Sequence, residues 1–238
     1  MEKKINALLK NTGISYPPVG VYDLPDPSAF APFSEPDHCI FSDFTTWMDG
    51  SQSTMISKEN ATAYGCPGAG YWLCGIEGMP REAVAGYLAG QEGLKASPGT
   101  MCQWLEAHPP RPMENQAIVI SQLQKNYDEF LKTVTFFVSP DQLGLLLTGA
   151  EYENGSEQKK VSAPYGSGCG LLLTLFNDVT VPLGMIGGTD IAMRKYLPPD
   201  ILAFTVTKPM LEQLCDLDGN SFLHKTFWKE LKASRAVA

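Results

Sequence analysis

Charge is scarce in this chain. Only 18% of its 238 residues are Asp, Glu, Lys or Arg, and the formal net charge is −8. The basic residues are scattered singly or in pairs such as Lys3-Lys4 and Lys159-Lys160. The electrostatic footprint of a phosphate-backbone binder is therefore missing, which argues against nucleic-acid partners. So little charge on a chain of this size goes with surface buried in a dimer or around a ligand. Long apolar runs are also missing: nothing approaches the roughly 18 consecutive residues of a membrane span. The opening "MEKKINALLKNTG" starts basic, but its apolar stretch is too short for a signal peptide, and it reads as an amphipathic helix with Ile5, Leu8 and Leu9 on one face. The expectation is a cytoplasmic protein with no membrane partner.

The ready-made signatures of chemistry are missing as well. There is no CxxC, no GxxxxGK[ST], no full GxGxxG, no GxSxG, no HExxH and no EF-hand loop. Histidine is limited to positions 38, 108 and 224. Of these, only His38, beside Cys39, is placed to join a thiol site, and then in three dimensions with Cys66 or Cys169 rather than with its sequence neighbour.

Cysteine set among glycines is what the chain does have. "YGCPGAGYWLCG" places Cys66 in a bare turn, and "YGSGCG" does the same with Cys169. Free backbone N–H groups and the positive end of a helix favour a thiolate at such a point. The plain alternative is a small buried residue where backbones cross closely. The six cysteines, at 39, 66, 74, 102, 169 and 215, are read as free thiols or ligands in a reducing compartment. Cys39, Cys66 and Cys169 form the best trio for a metal or an iron–sulfur cluster, with His38 or Cys74 as a fourth ligand. Cys74, Cys102 and Cys215 fall on apolar helix faces and read as core.

The glycine turns "YGSGCG" and "GMIGGTD" each precede a helix-like stretch, where exposed N–H groups bind carboxylate or phosphate. The candidate ligand-binding set is Gly166, Ser167, Gly168, Gly170, Thr189, Asp190 and Arg194. Thr189 or Asp190 also suits a helix N-cap, and Asp190 with Arg194 also suits an i,i+4 pair. Lys195 is a second cation for an anionic ligand, and Glu59, in "SKEN", is an acid or base ahead of Cys66.

Pattern and punctuation predict an N-terminal helix ending near Gly13, an edge strand in "YPPVGVYDL", and a long proline-rich loop in "PDPSAFAPFSEPD" that covers a site. A helix over 40–48 stops at Gly50. Further on come a strand in "STMISKEN", helices opening at Pro67, Pro80 and Pro98, a strand in "AIVI", and a helix in "YDEFLKTV". The clearest strand is "TVTFFVS", followed by a helix from Pro140. A glycine turn then leads into an apolar helix in "PYGSGCGLLLTLFNDV". A strand, a Gly-Gly turn and a short helix follow, then a strand and helix in "DILAFTVTKPMLEQLCDLDG". The chain ends in an amphipathic helix, about 220–234, whose Phe222, Phe227, Trp228 and Leu231 serve a core or a homodimer. Short strands alternating with helices predict an α+β fold: a single compact domain over 1–238 with a mixed, largely antiparallel sheet and flanking helices. No strict internal repeat is visible.

In order along the chain, "YPPVGVYDL", "HCIFSDF", "ISKENATAYGCPGAGYWLCG", "VSPDQLGLLL", "PYGSGCG" and "IGGTDIAMRKYLPPDILAFTV" resemble the domain-of-unknown-function family 169, the archaeal conserved region family. The resemblance covers about residues 7–215 and implies a source among archaea or anaerobic bacteria. It supplies no activity. It implies that the family's usual cysteine positions correspond to Cys39, Cys66 and Cys169. Three readings follow: a binding domain for a small anionic ligand or cofactor at the glycine turns, an iron–sulfur or redox protein on the cysteine trio, and a thiol enzyme with Cys66 or Cys169 as nucleophile.

Overall fold

A computed structural model describes residues 2–30, 33–34, 39–57, 67–75, 80–164 and 168–235. His38, Glu59, Cys66, Gly166 and Ser167, and part of the proline-rich loop, lie outside these residues. Among the described residues, eight strands form one sheet: Val19–Leu24 (β1), Phe33–Ser34 (β2), Ser53–Ser57 (β3), Ala117–Gln122 (β4), Leu131–Val138 (β5), Val161–Ser162 (β6), Gly184–Gly187 (β7) and Leu202–Thr207 (β8). The pairs β2–β3 and β6–β7 are parallel and the others antiparallel, which is the mixed, largely antiparallel sheet of a compact α+β domain.

β1 is not the edge strand that its prolines suggest. It lies between β4 and β5, and all of its residues are buried. Pro17 and Pro18 precede the first paired residue, Val19, so no ladder bond needs an N–H from either. The prolines set where the strand begins and not where it sits. The stretch "YDEFLKTV" also departs from expectation: a 3-10 turn over Lys125–Phe130 gives way to β5 at Leu131. The β-branched residues from Thr133 to Thr135 favour the pleated state once both faces can be covered.

The helices are Glu2–Thr12 (α1), Phe44–Asp49 (α2), Pro67–Cys74 (α3), Arg81–Gly86 (α4), Pro98–Ala107 (α5), Pro140–Glu151 (α6), Gly168–Leu172 (α7), Ile191–Arg194 (α8), Lys208–Cys215 (α9) and Thr226–Arg235 (α10). Their ends follow local chemistry. Ser139 and Gln142 make a reciprocal capping box at α6. The Ser97 hydroxyl caps α5 by accepting from Thr100 N at 3.1 Å. Gly50, at φ 70°, ends α2 in the left-handed region.

Strand alternation sorts the side chains into two cores. Val19, Val21, Ile118, Ile120 and Phe137 face α2, α3, α5, α7 and α8. Tyr22, Val119, Val134, Phe136 and Phe204 face α1, α6 and α9. At the C-terminus, Trp228 is buried and its indole donates to Asn11 O at 2.8 Å. Phe227, expected to pack, is 85% exposed instead, because neighbouring residues on a helix point to different sides.

The strand order, β2-β3-β4-β1-β5-β8-β7-β6, carries a symmetry. Adding four to each strand number of the first half gives the second half in reverse, and each half ends in a parallel pair. This is the topology of a twofold axis running through the sheet between β1 and β5. The repetition lies in how the chain winds, with no strict sequence repeat to announce it. Cys39, just ahead of the 3-10 turn Ile40–Asp43 that leads into α2, and Cys169, in α7, both open the connection between a half's parallel strands.

Candidate functional site

Two glycine-bearing helices meet where α3 packs on α7. A Cβ built on Gly68 would lie 3.4 Å from Cys169 Sγ, and one on Gly170 would lie 3.3 Å from the Trp72 ring. Gly168 has no room at all: a Cβ there would stand 2.0 Å from Met193 Sδ and 2.9 Å from Phe41 Cε2. Phe41 belongs to the first half of the sheet and Gly168 to the second, so the two cysteine-bearing connections touch. Hydroxyl bonds fasten the junction, Thr174 donating to the Trp72 carbonyl and Thr133 to the Leu172 carbonyl. Arg111 ties down the following residues by donating to Phe176 O at 2.8 Å and Asn177 O at 3.1 Å. Edge-to-face contacts from Tyr71 to Trp72 and on to Trp104, at centroid distances of 4.9 and 5.6 Å, build an aromatic wall behind it.

The second glycine turn joins the same place. Gly168 N–H donates to Asp190 Oδ2 at 3.3 Å, while Asp190 Oδ1 accepts from Ala192 N at 2.9 Å and caps α8. Asp190 is thus the N-cap, and Thr189 stays exposed. The structure brings Gly168, Cys169, Gly170 and Asp190 together.

Arg194 belongs to this turn and serves it internally. Its guanidinium donates to the carbonyls of Gly188 at 3.2 Å, Pro198 at 3.1 Å and Pro199 at 2.8 Å, and to that of Ile201. Lys195 Nζ lies 4.9 Å from the centroid of the Tyr196 ring. These cations hold protein groups.

Cys74 and Cys169 are buried, while Cys39, Cys102 and Cys215 are partly so. Burial pushes the Cys215 thiol up to about 12, with Asp216 adding to the shift, so it stays protonated at neutral pH. Among the described residues, no group of three or more His, Cys, Asp or Glu is placed to hold a metal ion. Cys66, a member of the expected trio, lies outside them. Among the described residues, too, no helix is long and apolar enough to cross a membrane.

A cleft of about 430 Å³ opens on the opposite face of the sheet, and no described residue of the cysteine and glycine set lines it. Its floor includes Tyr22, fully buried, whose hydroxyl accepts Gln124 N–H at 2.7 Å. Burial pushes this phenol up to about 12 against the opposing effect of that bond, and the Asp128 charge adds to the rise. Sequence reasoning passed over Tyr22. The available signal was Gly20 two residues earlier on the same strand face, where a Cβ would meet the Tyr22 ring at 2.7 Å.

Fold and junction together define a compact α+β domain on an open, largely antiparallel sheet, built from two similarly threaded halves that meet at a buried thiol. Within that class, the chain belongs to the uncharacterised ArCR family, domain of unknown function 169, whose model matches residues 7–216. No curated protein and no solved structure matches it.

Proposed function

We propose that this protein binds a small ligand or cofactor at the α3–α7 junction, with Cys169 and the bare backbone of Gly68 forming part of the wall. The observation that carries the reading is Gly68 itself. It lies in the first turn of a helix, and glycine is a weaker helix former than alanine. Its φ is not positive, and an added methyl would reach Cys169 Sγ at contact distance without overlapping it. Neither conformation nor packing demands glycine there, and close approach of a ligand to the thiol would account for it. Sites of this kind fall where two structural units meet, and the cysteine-bearing connections of both halves meet here.

The anionic character expected of the ligand rests on the backbone amides at the start of α7. Gly168 N–H and Arg194 are engaged with Asp190 and with carbonyls, so the thiol is the better-supported part of the reading. The experiment is a thermal-shift screen of anaerobically purified protein against nucleotides, flavins and acyl phosphates, with iron and sulfide assayed in parallel. A compound that raises the melting temperature of wild type and slows alkylation of Cys169, but does neither for Gly68→Val, supports the site. Failure of every compound, with Cys169 alkylated only on unfolding, rejects it.

The iron–sulfur reading on Cys39, Cys66 and Cys169 draws support from the equivalent placement of Cys39 and Cys169 in the two halves. Brown protein containing iron and sulfide would favour it. Colourless protein free of both would remove it and leave the ligand-binding reading standing.

A further inference from the structure

One buried donor on the face away from Cys169 is left without an acceptor. Tyr22 forms part of the floor of the cleft that lies between α1, the prolines ahead of β1, and the Lys125–Phe130 turn. A tyrosine hydroxyl can accept and donate at once. Here it accepts the Gln124 N–H at 2.7 Å, and among the described residues nothing accepts its own hydrogen. Burial keeps the phenol protonated far above neutral pH, so that hydrogen stays in place to be donated. A buried donor left unmet costs free energy. Tyr22 is fully buried and lines the cleft, so an acceptor has to come from whatever occupies the cleft.

The rest of the described lining suits an uncharged occupant. Ile5, Leu9, Leu131 and Leu211 give the cleft an apolar interior. The two carboxylates described there are already engaged: Lys208 Nζ lies 3.4 Å from Asp128 Oδ2, and Glu2 has a partner of its own. A charged group would lose hydration among these side chains and gain no free counter-charge from either carboxylate. A carbonyl oxygen gives up less water and supplies the lone pairs that the phenol lacks. The phenol is held in position to meet it, since Gly20 leaves space for the ring and Gln124 N–H fixes the hydroxyl. The volume of about 430 Å³ falls within the range of about 300–1,000 Å³ typical of small-molecule sites.

We infer that this cleft binds an uncharged carbonyl compound with an apolar body, its oxygen accepting the Tyr22 hydroxyl hydrogen. Ketones, esters and amides all meet that description. The leucines and Ile5 take the hydrocarbon, and the phenol orients the carbonyl. The contact is one of recognition, with no bond made or broken. The site is independent of the Cys169 junction, because Tyr22 belongs to the core on one face of the sheet and Cys169 to the core on the other.

Cyclohexanone and methylenecyclohexane test this, since they share one shape and differ in the acceptor. Binding is read by calorimetry at neutral pH. Tyr22→Phe keeps the ring and removes the hydroxyl. It weakens cyclohexanone about tenfold and does not weaken methylenecyclohexane. The carbonyl carbon resonance of labelled cyclohexanone lies further downfield when bound to wild type than when bound to Tyr22→Phe. Cyclohexylammonium and cyclohexanecarboxylate each bind at least about tenfold more weakly than the ketone. Asn6→Trp, a change at an exposed position on α1, fills the cleft and weakens the ketone and the alkene alike. Undetectable cyclohexanone binding overturns the inference, as does a Tyr22→Phe variant that holds the ketone as wild type does or loses both probes equally. A charged analogue that binds as tightly as the ketone also overturns it, as does an Asn6→Trp variant with wild-type affinity.

Discussion

The Gly168 N–H and the Asp190 carboxylate are joined across the two glycine turns at 3.3 Å, and the second oxygen of that carboxylate caps α8. One side chain therefore holds the register between α7 and α8. Asp190→Ala leaves the buried Gly168 N–H without its acceptor and removes the cap. The expected loss is about 1–3 kcal/mol, measured by urea denaturation. A variant as stable as wild type would show that the carboxylate contributes no net stability.

Gly168 also has a steric role. An alanine methyl there overlaps Met193 Sδ and crowds Phe41. Gly168→Ala is expected to cost about 1–3 kcal/mol. Shortening Met193 opens part of that space, so the cost of Gly168→Ala should be smaller in a Met193→Ala background. A double-mutant cycle reads the coupling, and strict additivity would contradict the contact.

Arg194→Lys tests the carbonyl clamp. A single ammonium cannot reproduce a planar fork that reaches carbonyls from Gly188 to Ile201. A loss of about 1–3 kcal/mol is expected. If the charge alone mattered, lysine would restore most of the stability that Arg194→Met loses.

Gly68→Ala separates stability from access. Restoring helix propensity should raise stability by up to about 1 kcal/mol, while the new methyl lies against Cys169 Sγ and slows alkylation of that thiol. Mass spectrometry after a timed iodoacetamide pulse checks it. Unchanged labelling in a stabilised variant would detach Gly68 from the thiol's accessibility.

Tyr22 makes stability fall in strong base. Its folded pKa, up at about 12, stands above the unfolded value near 10. The unfolded chain therefore releases this proton first as pH rises. The contribution is complete below about pH 10 and is lost between roughly 10 and 12, amounting to about 3 kcal/mol across the window. Tyr22→Phe should flatten that part of the stability curve. In an absorbance titration of the native protein, a tyrosine titrating near 12 should be present in wild type and absent from Tyr22→Phe.

The helices were legible because their signals are local. Pro67, Pro98 and Pro140 open helices, Ser97 and Ser139 cap them, and Gly50 stops one. The onset of β5 reads as helix in the sequence because the short 3-10 turns of Lys125–Phe130, broken at Tyr127, resemble a helix start until the pairing of Leu131–Val138 is known. Cys169 and its glycines stood out by residue type. Their neighbours Trp72, Met193 and Phe41 did not, since contacts across the chain leave no mark in nearby sequence. The cleft escaped notice for the same reason: its parts come from α1, β1, β4, β5 and α9, and only the strand register assembles them.

The mirrored strand order has a consequence for the integrity of the chain. The passage between the halves runs through Lys125–Phe130, and among the described residues every ladder except β1–β5 is confined to one side of it. A protease nick in that turn would sever a tether and no ladder, leaving two fragments held by a shared seam, so cleavage there should be seen on a denaturing gel before it is seen in the elution volume of the native protein.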